Sequence, residues 1–142
     1  MKTYLAGPMR SIAEWNFPAF IDTGKVLVDL GHEVFNPAQH DIDNGFPWEG
    51  MTGTEDISEL GFSLRQMLAA DLEWIANEAE AICVLPGWAS SRGARAEVAL
   101  AAALGLQVGY LEQFEDGRLQ PATEFWDQFF TDAVLIDESE AL

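Results

Sequence analysis

Five consecutive apolar residues, Ala81-Ile82-Cys83-Val84-Leu85, run into Pro86-Gly87 and then into an alanine-rich stretch of helical character. A short apolar run without polar alternation suits a strand covered on both faces, and such strands belong to largely parallel sheets sandwiched by helices. The flanking segments keep the same rhythm. Residues 2–6 form a β-type run closed by Gly7-Pro8, residues 32–37 read as a strand entering a turn, and residues 107–111 read as another strand. Between the first two lies a helical pattern with Asn16 as its cap and Pro18 in its first turn. Phe20, Ile21, Val26, Leu27 and Leu30 share its apolar face, and Gly31 ends it. Residues 58–77 predict a second helix, with Leu60, Leu64, Met67, Leu68, Leu72 and Ile75 as its buried stripe and Asp71 beside it. Residues 38–56 show no clear periodicity and read as a long loop, a length often used for functional lids. Asp116-Gly117 reads as a tight turn, residues 123–130 as a short helix, and the acidic end at 137–142 as a partly ordered tail. Strands alternating with helices predict an α/β fold, an open and mainly parallel sheet with helices on both faces. The 142 residues are enough for one such domain with its own core.

Charge narrows the partners. With 24 acidic and seven basic residues the formal charge is −17, a field that repels a phosphate backbone and argues against a nucleic-acid polymer as ligand. A small anion is still compatible, provided the few cations are placed for it. Arg10, Arg92 and Arg95 lie in or just after two glycine-containing turns, where they serve either an anion or simply the solvated surface. The lone Cys83 excludes an internal disulfide and sits as a core residue in its apolar run. His32 and His40 have no ligand spacing, so no metal is expected, and His40 reads as a solvent-exposed side chain. The chain opens without a charged-then-apolar leader and holds no apolar run of membrane length, which predicts a cytoplasmic protein without a membrane partner.

In an open α/β sheet, ligands bind at the carboxyl ends of the strands. That rule puts residues 7–10 and 87–93 on one rim, where backbone N–H groups, arginines and a helix N-terminus can face an anion. Neither turn matches the dinucleotide fingerprint or the P-loop. Glu97 follows one turn into the next helix, among Ala, Val and Leu. A buried carboxylate needs a partner or a task, whereas on an exposed face it would simply pair with Arg95 or Arg92; the pattern admits both. Asp71 reads equally as a helix-surface acid, and Tyr4 as a core aromatic.

The set Tyr4-Leu5-Ala6-Gly7-Pro8, Asp71-Leu72-Glu73-Trp74-Ile75 and Gly93-Ala94-Arg95-Ala96-Glu97 resembles the nucleoside 2-deoxyribosyltransferase superfamily, including its 2'-deoxynucleoside 5'-phosphate N-hydrolase branch, over roughly residues 2–111. The resemblance implies a flavodoxin-like sheet and cleavage of an N-glycosidic bond without a cofactor. It implies Glu97 as the nucleophile at C1', Asp71 as the group that protonates the departing base or holds the proton donor in place, and Tyr4 as the residue orienting Glu97. This division of labour is the one retaining glycosidases use. Members acting on free nucleosides tend to carry an Asp six residues before the nucleophile, where this chain has Ser91; the phosphate-specific branch has a serine there and an arginine matching Arg10. Gly7, Met9, Arg10, Asn16, Ser90, Ser91, Arg92 and Gly93 are therefore the expected substrate contacts, with base contacts from Met9, Trp15, Asn16 and residues 38–56. Pro8 departs from that branch, which has a second serine there. The expected substrate is a nucleoside 5'-monophosphate. A transferase acting on free nucleosides and a nucleotide sensor without turnover are the alternatives. The resemblance also implies a homodimer or larger homo-oligomer whose neighbouring subunit helps close the site, and the aromatic residues 125–130 suit either that surface or the core of a monomer.

Overall fold

The computed structural model describes residues 1–130, so the acidic end at 137–142 lies outside the described residues. The fold is α/β and flavodoxin-like. A five-stranded sheet is formed by β1 (Lys2–Ala6), β2 (Glu33–Phe35), β3 (Ala81–Val84), β4 (Gln107–Gly109) and β5 (Gln120–Pro121) in the order β2-β1-β3-β4-β5. All pairs are parallel except β4 with the short edge strand β5. Among the described residues six α-helices connect and cover the strands: α1 (Phe17–Asp29), α2 (Pro37–Asp43), α3 (Leu64–Glu78), α4 (Arg92–Leu104), α5 (Leu111–Asp116) and α6 (Ala122–Phe129).

Alternation along the strands divides the interior into two cores. Tyr4 and Ala6 of β1, with Ile82 and Val84 of β3, pack with Val98 and Ala101 of α4 and Phe125 of α6. Leu5, Ala81 and Cys83 point the other way, toward Phe17, Phe20 and Leu27 of α1 and Phe114 of α5. The residues from Ala81 to Leu85 are all buried, as expected of a strand covered on both faces. The chain leaves β1 for β2 on one side and then returns to β3 on the other, so the strand order reverses between β1 and β3. That reversal opens a crevice between their carboxyl ends. Gly7 lets the two ends meet there, because a Cβ on it would come within 2.7 Å of Leu85 Cβ.

Three segments differ from the sequence reading. Residues 38–56 contain most of helix α2, which begins because Pro37 stands at its first position while the Asn36 side chain accepts from the N–H groups of Ala38 and Gln39. Residues 58–77 divide at Gly61, which adopts φ +86° after a 3-10 turn at Ile57–Leu60; α3 then starts afresh, capped by Ser63. Of the expected stripe only Ile75 is fully buried, because Leu64, Met67 and Leu68 border an open cavity. Strand β4 stops at Gly109, where residues 107–111 were expected to continue it, and helix α5 follows, ending in the turn expected at Asp116-Gly117. The C-terminal aromatics complete the core of this one chain: Phe125 is fully buried, and Phe125, Phe129 and Phe130 surround the Trp88 ring at 5.4, 4.9 and 6.0 Å.

Candidate active site

The crevice opens into a cavity of about 970 Å³ bounded by the ends of β1 and β3, the start of α4 and the inner faces of α2 and α3. Three of its residues form one hydrogen-bonded and electrostatic unit. Tyr4, fully buried, donates its hydroxyl to Glu97 Oε2. Glu97 is only 5% exposed, so the reading that pairs it with Arg95 or Arg92 on an open face does not hold. The Arg95 guanidinium lies instead over the Phe130 ring, 4.8 Å from its centroid. Asp71 completes the unit from α3, close enough for the Tyr4 hydroxyl to act on its carboxyl as well.

Burial dominates the titration of this unit. It pushes the Glu97 carboxyl well above the usual carboxylate range; the Tyr4 hydrogen bond opposes that push and the charge of Asp71 adds to it. Asp71 is pushed up to about 7 by burial, against the same Tyr4 hydroxyl. The Tyr4 phenol rises too, first through burial and then through the two neighbouring carboxylates. Asp71, raised to about 7, gains or loses a proton easily near neutral pH, as acid–base catalysis requires.

The rim supplies cations and donors. Arg10 is exposed beyond β1, Arg92 is exposed at the first position of α4, and neither makes an ion pair among the described residues. Ser91 caps α4, its Oγ accepting from Ala94 N at 3.2 Å. The unbonded N–H groups of Arg92 and Gly93 lie at the positive end of the α4 dipole. Trp88 anchors this turn from beneath, fully buried among the α6 aromatics, with its indole N–H donating to Tyr110 at 3.3 Å.

The opposite rim is held in unusual backbone geometry. Ser11, Glu14, Trp15 and Asn16 all adopt positive φ, between 54° and 68°. Neighbouring loop residues brace them: Ser11 N donates to Gly53 O at 2.8 Å, Glu14 N to Met51 O at 2.7 Å, and the Trp15 indole to Glu55 at 3.1 Å. Backbone N–H groups of Thr52 and Gly53 hold the Glu55 carboxylate down at about 2. Strain of this kind collects where a loop must present side chains in one fixed way.

Of the expected site residues, Tyr4, Gly7, Met9, Arg10, Asp71, Ser90, Ser91, Arg92, Gly93 and Glu97 border this single cavity. Asn16 does not. It precedes α1 as expected, yet at φ 61° its side chain cannot cap the helix and instead donates to Pro8 O at 2.8 Å, bracing the rim from behind. His40 is exposed, stacked near Phe35 outside the cavity. Trp15 lines the cavity as expected. Asp41 and Phe46, within the expected base-contact segment 38–56, also line it, although the sequence reading singled out neither; Phe17 and Phe20 it missed. The available signal was Asn36-Pro37 as a helix start, which would have put Ala38, Asp41 and Ile42 on one inward face.

Among the described residues no group of three or more His, Cys, Asp or Glu side chains is arranged to hold a metal ion, and no helix is long and apolar enough to cross a membrane. The family described as a domain of unknown function, DUF4406, matches residues 1–110, and the chain belongs to that family. None of the curated proteins compared with the chain matches it.

Proposed function

We propose that this DUF4406 member cleaves the N-glycosidic bond of a nucleoside 5'-monophosphate, by resemblance a 2'-deoxynucleotide, through a glycosyl ester on Glu97. The observation that carries the reading is the buried Glu97 carboxyl, hydrogen-bonded to Tyr4 beside Asp71, in a cavity whose rim carries Arg10 and the Ser91-Arg92-Gly93 helix start. A nucleotide needs such a division: an anion-binding rim for the phosphate and a water-poor pair of carboxyl groups for the sugar–base bond.

The reaction begins with a proton. Burial favours the neutral form of Glu97, so the nucleophile forms when its proton passes to Asp71, with the Tyr4 hydroxyl between them. The transfer leaves the charge of the site unchanged and produces carboxylate and acid together. Glu97 then attacks C1' as the C–N bond breaks, and the bonding electrons leave with the base, which takes the proton from Asp71. Water, with its proton accepted by Asp71, or a second base next displaces Glu97 from C1'. Developing positive charge on the sugar is stabilised by the attacking Glu97 carboxylate. The resemblance further suggests a homo-oligomer whose neighbour closes the site, and Leu64, 49% exposed where it borders the cavity, is a residue such a neighbour would cover.

Incubation with a panel of nucleosides and their monophosphates, followed by chromatography of free bases, tests the reading. Glu97→Ala should abolish release while leaving the helix intact, since alanine is the best helix former. Unchanged turnover in that variant removes Glu97 as nucleophile. Nucleotide binding by the wild type with no release from any substrate would favour a sensor.

A further inference from the structure

The cavity holds a third carboxyl group that the proposed reaction does not use. Asp41 projects from α2, is 7% exposed, and borders the same cavity as Glu97 and Asp71. Its backbone oxygen accepts from Phe46 N at 2.9 Å, but its carboxyl oxygens have no hydrogen-bond or ion-pair partner among the described residues. No fully covered side-chain nitrogen or oxygen among the described residues lacks a partner, so these oxygens keep solvent contact, in a residue that borders the cavity. A carboxyl group buried this far without a donor is costly to ionise. Burial and the charge of Asp71 accordingly push it up to about 7. A ligand group bearing N–H donors would relieve that cost.

We propose that Asp41 reads the base of the substrate, and that it selects a base presenting two adjacent N–H donors, as guanine does with N1–H and its 2-amino group. This inference rests on the cavity being the nucleotide site proposed above. An ionised carboxylate accepts and does not donate. Its two oxygens match two parallel N–H groups in the way they match the arginine fork. Adenine turns a ring-nitrogen lone pair toward the same oxygens, and hypoxanthine has one donor where guanine has two. Phe46, tied to Asp41 through the backbone, and Phe17, whose ring lies 5.5 Å from that of Phe46, give the apolar border against which a flat base is held.

The guanine–hypoxanthine pair isolates the second donor, because the two bases differ only in the 2-amino group. Calorimetry with Glu97→Ala protein, which binds without consuming its ligand, should find 2'-deoxyguanosine 5'-monophosphate bound roughly ten- to a hundred-fold tighter than 2'-deoxyinosine 5'-monophosphate, the range expected for one charge-assisted hydrogen bond. Adding Asp41→Leu should bring the ratio near one through loss of guanine affinity. Asp41→Asn, which keeps the shape but puts an amide N–H where an acceptor stood, should abolish or reverse the preference. Melting curves identify any variant that has lost its fold, and the Asn variant carries the test if the Leu variant does. Equal affinity of the two nucleotides, binding of neither, or a preference that survives both substitutions overturns the assignment. If the preference holds and depends on Asp41 but the wild type releases no base, the hydrolase reading fails and the base-reading role stands.

Discussion

Removing the charge at Asp71 should make the protein more stable above neutral pH. The Asp71 carboxyl lies at about 7 in the folded protein against 3.8 in an open chain. A folded state with the higher value binds more protons between these limits, so its stability falls as pH rises from about 4 to about 7 and then levels off. The shift is roughly 3 pH units, or about 4 kcal/mol at ~1.4 kcal/mol per unit for a group titrating alone. Two features of the site bear on that figure. Asp41 and Glu97 are themselves raised by the Asp71 charge, so Asp71→Asn relieves them too. In the other direction, the cavity admits water and the carboxyl groups share protons, which reduces the cost of each. A gain of ~2 kcal/mol at pH 8 is the working figure, about 5–8 °C in Tm for a domain of this size. Thermal melts followed by circular dichroism at pH 5 and pH 8 give the answer: the wild type should lose stability between the two, and Asp71→Asn should lose much less. An identical pH slope in both proteins, or a variant less stable at pH 8, would refute the claim that burial governs this group.

The remaining predictions concern the reaction and the rim. Arg10→Ala should lower kcat/KM for a nucleoside monophosphate by roughly ten- to a hundred-fold, at 1.5–3 kcal/mol for a charge-assisted bond, and leave the uncharged nucleoside almost unaffected; equal losses on both would make Arg10 structural. Tyr4→Phe removes the hydrogen bond that holds the Glu97 carboxyl down, so the acidic limb of the pH–rate profile should move upward and kcat should fall, while an unshifted limb would dissociate Tyr4 from Glu97. Gly53→Ala should destabilise by ~2–4 kcal/mol, because its φ is +88° and a Cβ would come within 2.2 Å of Ile12 O; a melt within a degree of wild type would show that the brace is not rigid.

Much of this architecture is legible in local pattern. The apolar run at Ala81 announces a strand covered on both faces, and strand–helix alternation dictates a parallel sheet, because parallel strands need crossovers. The rim position of Gly7 and Gly93 follows from that topology. The burial of Glu97 does not, since one acid in an alanine-rich helix faces core or solvent according to which way the helix is rolled, and a stripe of small residues barely sets that roll. Packing against β1 decided it, by bringing the Tyr4 hydroxyl to Glu97 across 93 positions of chain. The stripe on α3 misled for the opposite reason, as Leu64, Met67 and Leu68 have core-like periodicity but border a cavity. Asp41 did not stand out within residues 38–56 because its helix is only seven residues long, too short to show a period, and because its partner in charge, Asp71, lies on another element thirty positions away. Short-range order fixes which residues form strand, turn or helix. Which carboxyl groups share one cavity is settled only when the strand order reverses between β1 and β3 and helices close over the crevice.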